Sequence, residues 1–127
     1  MELKFRSYST ITEIMTNWQD IEDCRNLQKL MRLNHVVVMQ WTGLNDKNGK
    51  EIYEGDLIKT PDNRILPVIF KEGCFGFENS FENSFEIKKF AYFTKALVSI
   101  IEVVGNIYEM EEIPMFRGTK KELENLF

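Results

Sequence analysis

A mainly β, α+β chain is predicted: a small antiparallel β-barrel or meander, SH3-like in character. An N-terminal strand, one or two short helices and a short C-terminal helix complete it. Three observations predict this class. Apolar, β-branched or aromatic runs recur about every ten residues with Gly, Asn, Asp or Pro between them, which is meander spacing. Helical periodicity is confined to residues 18–33 and to short stretches at 88–95 and 118–127. A chain of 127 residues with 43% hydrophobic and 13% aromatic content makes one packed domain, able to bury roughly two-thirds of its unfolded surface. That domain, residues 1–127, divides into an N-terminal strand and helix (1–35), a β core (36–113) and a tail helix (114–127).

Leu3-Lys4-Phe5-Arg6 alternates apolar and basic, the pattern of a half-buried strand with Leu3 and Phe5 inward. Ser9 to Thr12 reads as a turn and Ile14-Met15 as a short return strand. From Asn17 the period changes. Ile21, Cys24, Leu27, Gln28 and Met31 fall at helical spacing, with Asn17 as N-cap and Asp20 three residues on. Residues 18–33 therefore form an amphipathic helix. Its polar face is not rich in Lys or Arg, so its apolar stripe serves core or dimer contact and not a membrane surface.

The stretch from Val36 to Lys59 organises the rest. Val36, Val37 and Val38 are stiff at χ1 and suit a pleated surface. Trp41 extends this strand and Thr42-Gly43 ends it. Asp46-Lys47-Asn48-Gly49 is a tight turn, because Asn and Gly tolerate positive φ. Ile52-Tyr53 resumes the strand, Glu54-Gly55-Asp56 breaks it, and Leu57 to Thr60 is the next. Two sharper readings of this loop fail on spacing. With Gly49 at position six of an EF-hand, Leu44 stands at one and Gly55 at twelve, where acidic ligands are required. A phosphate loop needs Ser or Thr after Gly-Lys and then a helix, whereas Gly49-Lys50 leads into Glu51 and a strand.

Pro61-Asp62-Asn63 turns the chain into a strand from Ile65 to Phe70. Pro67 has no N–H for the ladder, which places that strand at an edge or a bulge. Lys71-Glu72-Gly73 turns again and Phe75-Gly76-Phe77 pairs back. A tandem four-residue unit follows, F-E-N-S-F-E-N-S-F-E from Phe77 to Glu86. Its Phe77, Phe81 and Phe85 share one face of either a strand or a helix, so periodicity does not decide between them. They form a candidate interaction surface, by core or contact packing. Base stacking is disfavoured, since Glu78, Glu82 and Glu86 repel the phosphates such platforms attract. Residues 88–95 form a short helix or turn. Leu97 to Val104 is the longest apolar run and reads as a buried central strand that continues into Ile107-Tyr108. Gly105-Asn106 is a bulge or a positive-φ bend, and Glu102 faces solvent or the rim. Glu109, Glu111 and Glu112 form a solvated acidic cluster. Gly118-Thr119 opens the last helix, with Glu122 at capping-box spacing.

Charge and composition limit the function classes. A net charge of −4 and a pI of about 5.1 argue against a broad footprint on nucleic acid or an anionic membrane. No apolar run reaches the roughly 18 residues that span a bilayer, and Met1-Glu2-Leu3-Lys4 lacks the pattern of a secretion signal. A cytoplasmic protein is expected. Cys24 and Cys74 then read as reduced, buried small hydrophobes. His35 has no second histidine, ligand-spaced cysteine or nucleophile beside it, so a metal or general-base role is not assigned.

Three segments carry a resemblance. Gln40 to Ile58, Q-W-T-G-L-N-D-K-N-G-K-E-I-Y-E-G-D-L-I, is similar to the hallmark of the YopX family of phage and prophage proteins. So are the opening K-F-R, Lys4 to Arg6, and E-V-V-G-N-I-Y-E, Glu102 to Glu109. The three stand in the family's order; residues 17–34 and 77–86 depart from its pattern. The resemblance implies a small β-rich phage-encoded protein of a family with no established activity, so no catalytic residues are carried over. Gly43, Asp46, Asn48, Gly49, Gly55, Asp56, Gly105 and Asn106 are the structural signature. No catalytic, cofactor or metal residues are assigned.

The expectation is a non-enzymatic protein-interaction module, an accessory factor that meets a phage or host protein or a further copy of itself. A nucleic-acid-binding small β-barrel is the alternative; it requires a basic face from Lys4, Arg6, Lys47, Lys50, Lys59 and Arg64. An enzyme is the third reading, with Asp46, Glu54 and Asp56 as the carboxylates clustered in the signature.

Overall fold

The computed structural model describes residues 3–21, 24–79 and 89–109. The architecture is mainly antiparallel β, as predicted, curled into a half-barrel with few short helices.

Strand β1 (Phe5–Ser9) turns at 10–14 into β2 (Met15–Thr16). Two short helices follow, α1 (Trp18–Ile21) and α2 (Cys24–Met31). The chain then enters β3 (Val36–Asn45), which pairs antiparallel with β1 from Phe5↔Gln40 to Ser9↔Val36. Strand β4 (Glu51–Tyr53) lies on the other side of β3, completing a sheet of order β2-β1-β3-β4. A second sheet holds β5 (Asp56–Lys59), β6 (Ile65–Pro67) and β10 (Glu102–Asn106), with β5 central. A third holds β7 (Ile69–Lys71), β8 (Cys74–Asn79) and β9 (Lys89–Tyr92), with β8 central. Helix α3 (Lys95–Val98) links β9 to β10.

The sheets meet at one corner. Gly55 N–H donates to Val68 O at 3.0 Å, Val68 N–H to Asp56 O at 2.8 Å, and Ile107 N–H to Gly55 O at 2.9 Å. Apolar packing divides around that corner. One cluster joins Ile52, Ile58, Val68, Phe77, Val98, Ile101 and Val103; the other joins Tyr8, Met39, Leu57, Ile107 and Tyr108.

Several elements differ from the sequence reading, each for a physical reason. Leu3 is exposed and β1 starts at Phe5; Arg6 and Tyr8 share the inward face, and Phe5 packs on Trp18 at 5.7 Å. Arg6 turns inward because a carboxylate waits there. Residues 18–33 are helical in two pieces, 18–21 and 24–31. Met31, at the end of α2, is 65% exposed and lies off the buried stripe, and the chain beyond it tightens, Leu33 N–H donating to Leu30 O. Strand β3 does not stop at Thr42-Gly43. Gly43 takes φ 85° inside a bulge between Trp41 and Asn45, and the strand runs on. Ile65 to Phe70 is two strands in two sheets, split at Val68, whose N–H and C=O are both spent on the Gly55-Asp56 corner. Pro67 does lie on an edge strand, opposite Leu57.

Residues 89–92 are strand and not helix. Thr94 then caps α3, its hydroxyl accepting from Leu97 N–H at 3.1 Å. That cap draws Leu97-Val98 out of the predicted central strand. Only Glu102–Asn106 remain extended, at the edge of their sheet, with the register shift between Val103 and Gly105. Ile107-Tyr108 does not continue the strand, because Asn106 Oδ1 accepts the amides of Tyr108 at 3.0 Å and Glu109 at 2.9 Å. Cys74 is exposed at the hairpin tip, not buried. Glu111, Glu112 and the tail helix, like Phe81, Phe85 and the side chain of Cys24, lie outside the described residues.

Candidate functional site

The signature residues build a buried polar spine. Asp56 opens β5 and is 2% exposed. Its Oδ2 accepts the Tyr53 amide at 2.7 Å, closing the Glu54-Gly55 turn, and its Oδ1 lies 2.6 Å from Arg6 Nη2. Gly55 has φ +86°, and a side chain there would meet Met39 Sδ at 3.1 Å. Glycine is therefore required by both backbone and space. The Arg6 guanidinium also donates to Glu54 O at 3.4 Å and lies 4.8 Å from the centroid of the Tyr53 ring, a cation–π approach. Burial raises the Asp56 carboxyl above its ordinary value, against the pull of Arg6 and the Tyr53 amide. Burial likewise raises Glu54, opposed by the Gln40 amide that donates to it.

Asp46 ties the turn to the far end of the chain. Its Oδ1 accepts the amides of Asn48 and Lys50, each at 2.9 Å, and its Oδ2 accepts the Val103 amide at 2.8 Å. Burial opposes its ionisation, but the amides of Val103, Lys50 and Asn48, aided by the Lys50 charge, outweigh it and hold the carboxyl below its ordinary value. Positive φ in this turn belongs to Gly49, at 80°, and not to Asn48. Asp46 supplies the organisation that the sequence reading gave to Asn48.

Asp46→Asn keeps the two turn amides but sets an N–H₂ against the Val103 N–H. A buried donor without an acceptor costs about 1–3 kcal/mol, so chemical denaturation at pH 7 should show a loss of that order. The sign of the pH dependence follows from the lowered carboxyl. Its stabilisation is present above the ordinary value of about 4 and is lost as pH falls through and below it. The substituted protein has no such titration, so the gap between the two should narrow on acidification.

The signature positions fall into separate roles. Asp46 and Asp56 sit on opposite flanks of the β4 hairpin, and Asn106 organises the turn that seats Tyr108 on Tyr8, with ring centroids 5.2 Å apart. Phe77 is 4% exposed and packs on Phe93 at 6.1 Å. It belongs to the core, which corrects its place in an interaction surface. The His35 carbonyl accepts the Thr10 amide at 2.8 Å and its hydroxyl at 3.1 Å. Of the six cations of the expected basic face, four pair with carboxylates: Lys4 with Glu51 at 2.8 Å, Arg6 with Asp56, Lys47 with Glu102 at 3.7 Å, and Arg64 with Asp62 at 2.7 Å. The Arg6–Asp56 pairing was not foreseen, although both residues stood in segments singled out from the sequence.

Beside the spine, a shallow depression of about 460 Å³, widely open to solvent, lies between the β3 bulge and α3. Trp41, Leu44 and Val98 give it apolar walls, and Lys47, Lys95 and Ser99 also line it. Trp41 is fixed by its indole N–H, which donates to Leu44 O at 3.1 Å, and by Lys4 Nζ, 4.6 Å from its ring centroid. Among the described residues, no group of three or more His, Cys, Asp or Glu is placed to hold a metal ion. No helix among them is long and apolar enough to cross a membrane.

Comparison with known proteins places the fold and the family. The crystal structure of protein EF1440 from Enterococcus faecalis matches with a TM-score of 0.57 at 23% identity, over 86% of this chain and 95% of that one. That likeness is one of fold. No curated protein matches the sequence. Residues 3–113 match the family described as YopX protein. Since this span holds Arg6, Asp46, Asp56, Asn106 and every strand described above, the chain belongs to the YopX family.

Proposed function

We propose that this protein is a non-enzymatic interaction module, a phage or prophage accessory factor that acts by binding a host or phage protein. One observation carries the reading. Glu54 is half-buried, and the other two carboxylates an enzyme built on the signature would use are already committed: Asp46 to three backbone amides, and Asp56 to Arg6 and the Tyr53 amide. General acid–base or nucleophilic work needs a group facing substrate, and these face the fold. What the surface offers instead is apolar contact area, with Phe70 half exposed against Phe75 on a hairpin and Tyr92 62% exposed on the neighbouring strand.

The test is affinity capture from host cells with and without nuclease, read by mass spectrometry. A stoichiometric protein that survives nuclease, and that co-purifies when expressed with this chain alone, is the expected result. Enrichment that vanishes with nuclease would overturn the reading in favour of nucleic-acid binding.

A further inference from the structure

We propose that the cleft between the β3 bulge and α3 receives an acidic peptide segment of a protein partner. One apolar side chain of that segment seats on Leu44 and Val98 beside Trp41, and flanking carboxylates meet Lys47 and Lys95. The proposal rests on the interaction-module reading and names the chemistry of its docking site.

Shape supports it first. The cleft is widely open to solvent and, at about 460 Å³, has room for a few side chains of a surface-docked segment. Its walls are rigid. Val98 is buried in the core, Leu44 packs against the same cluster, and Trp41 is held by the Leu44 carbonyl and Lys4. Preformed apolar walls cost little ordering on binding.

Charge supports it independently. In a chain of net charge −4, two lysines line this cleft. Among the described residues no carboxylate pairs with Lys95. Lys47 is held only loosely by Glu102, at 3.7 Å with both side chains 40% or more exposed. Asp46 also lines the cleft and keeps its negative charge, but it is buried, with both oxygens accepting the amides of Asn48, Lys50 and Val103. The charges that the lining exposes are therefore two ammonium groups, set against one buried carboxylate, and complementarity to them selects an acidic, apolar-anchored segment. Glu102 acts as an internal competitor for Lys47.

Fluorescence anisotropy with three labelled pentapeptides tests this: Glu-Glu-Phe-Glu-Glu, Lys-Lys-Phe-Lys-Lys and Glu-Glu-Gly-Glu-Glu. The first should bind at low salt and the other two should bind at least about tenfold more weakly. Lys95→Glu and Lys47→Glu should each weaken the first by about tenfold, and Glu102→Gln should tighten it by about threefold. All three positions are at least partly exposed, and unchanged melting temperatures would show that the fold persists. Equal binding of acidic and basic peptides, indifference to Lys95→Glu, or weakening by Glu102→Gln would each overturn the proposal. The captured protein separates this failure from failure of the broader reading. If the doubly substituted Lys47→Glu, Lys95→Glu protein still retains it, the module stands and the cleft is not its docking site.

Discussion

Arg6→Ala is expected to destabilise the protein by about 3–5 kcal/mol, the range for removing one partner of a buried ion pair. Asp56 is 2% exposed, and the Arg6 side chain is 13% exposed. Truncation leaves a carboxylate in the interior with the Tyr53 amide as its hydrogen-bond donor. The cation–π contact over Tyr53 and the donation to Glu54 O go with it. The loss strikes the place where the sheets meet, since Asp56 O and Gly55 carry the bonds to Val68 and Ile107. Chemical denaturation gives the number directly. A loss below about 1 kcal/mol would place the pair in the class of exposed bridges and remove it from the centre of the fold.

The pH dependence separates an uncompensated charge from a mere packing defect. Burial already raises the Asp56 carboxyl while Arg6 opposes it. Without Arg6 the folded-state value moves further up while the unfolded value stays near 4. A carboxyl raised in the folded state loses stability as pH rises from its unfolded value through its folded value. The deficit of Arg6→Ala should therefore be largest at neutral and alkaline pH and shrink toward pH 5. A cavity alone would give a pH-independent deficit. The double substitution Arg6→Met, Asp56→Leu should recover part of the loss, because apolar pairs often replace buried ion pairs at little cost.

The strands around the signature were legible because their turn chemistry is local. Gly49 and Gly55 occupy the positive-φ sites their turns demand, and Pro67 announced an edge by lacking an N–H. What escaped depended on distance along the chain. Arg6 alternates with Leu3 and Phe5 as a solvent-facing residue would, and only a carboxylate 50 positions away turns it inward. Leu97-Val98 sits in an apolar run that reads as strand, yet one hydroxyl, Thr94, captures it for a helix. In the same way Asn106 ends β10 with its own side chain although Ile107-Tyr108 would extend it. The cleft was invisible for a different reason: it joins residues 41–47 to residues 95–99, and neither segment carries a ligand pattern alone.

Gly76 illustrates how a glycine matters without any special φ. It sits mid-strand in β8, opposite Ile69 of β7 and Tyr92 of β9. A Cβ there would fall 2.2 Å from the Ala91 carbonyl oxygen, 2.8 Å from Tyr92 Cα and 2.8 Å from the Phe90 ring. Two of those three atoms are backbone, so no rotamer change relieves the contact and β9 must move away from β8. That displacement pulls Ala91 and Phe93 from the cluster around Phe77 and Val98. Gly76→Ala should therefore cost about 3 kcal/mol or more, at the upper end for overpacking, and lower the melting temperature by about 10 °C. Gly73→Ala provides the comparison. Gly73 has φ +81° but nothing within 4 Å of its added Cβ, so its cost is backbone strain alone, about 1 kcal/mol. Thermal melts of the two variants should rank Gly76→Ala as the more damaging. The opposite order would mean that β9 yields freely, and that its packing against β8 contributes little to the stability of the sheet.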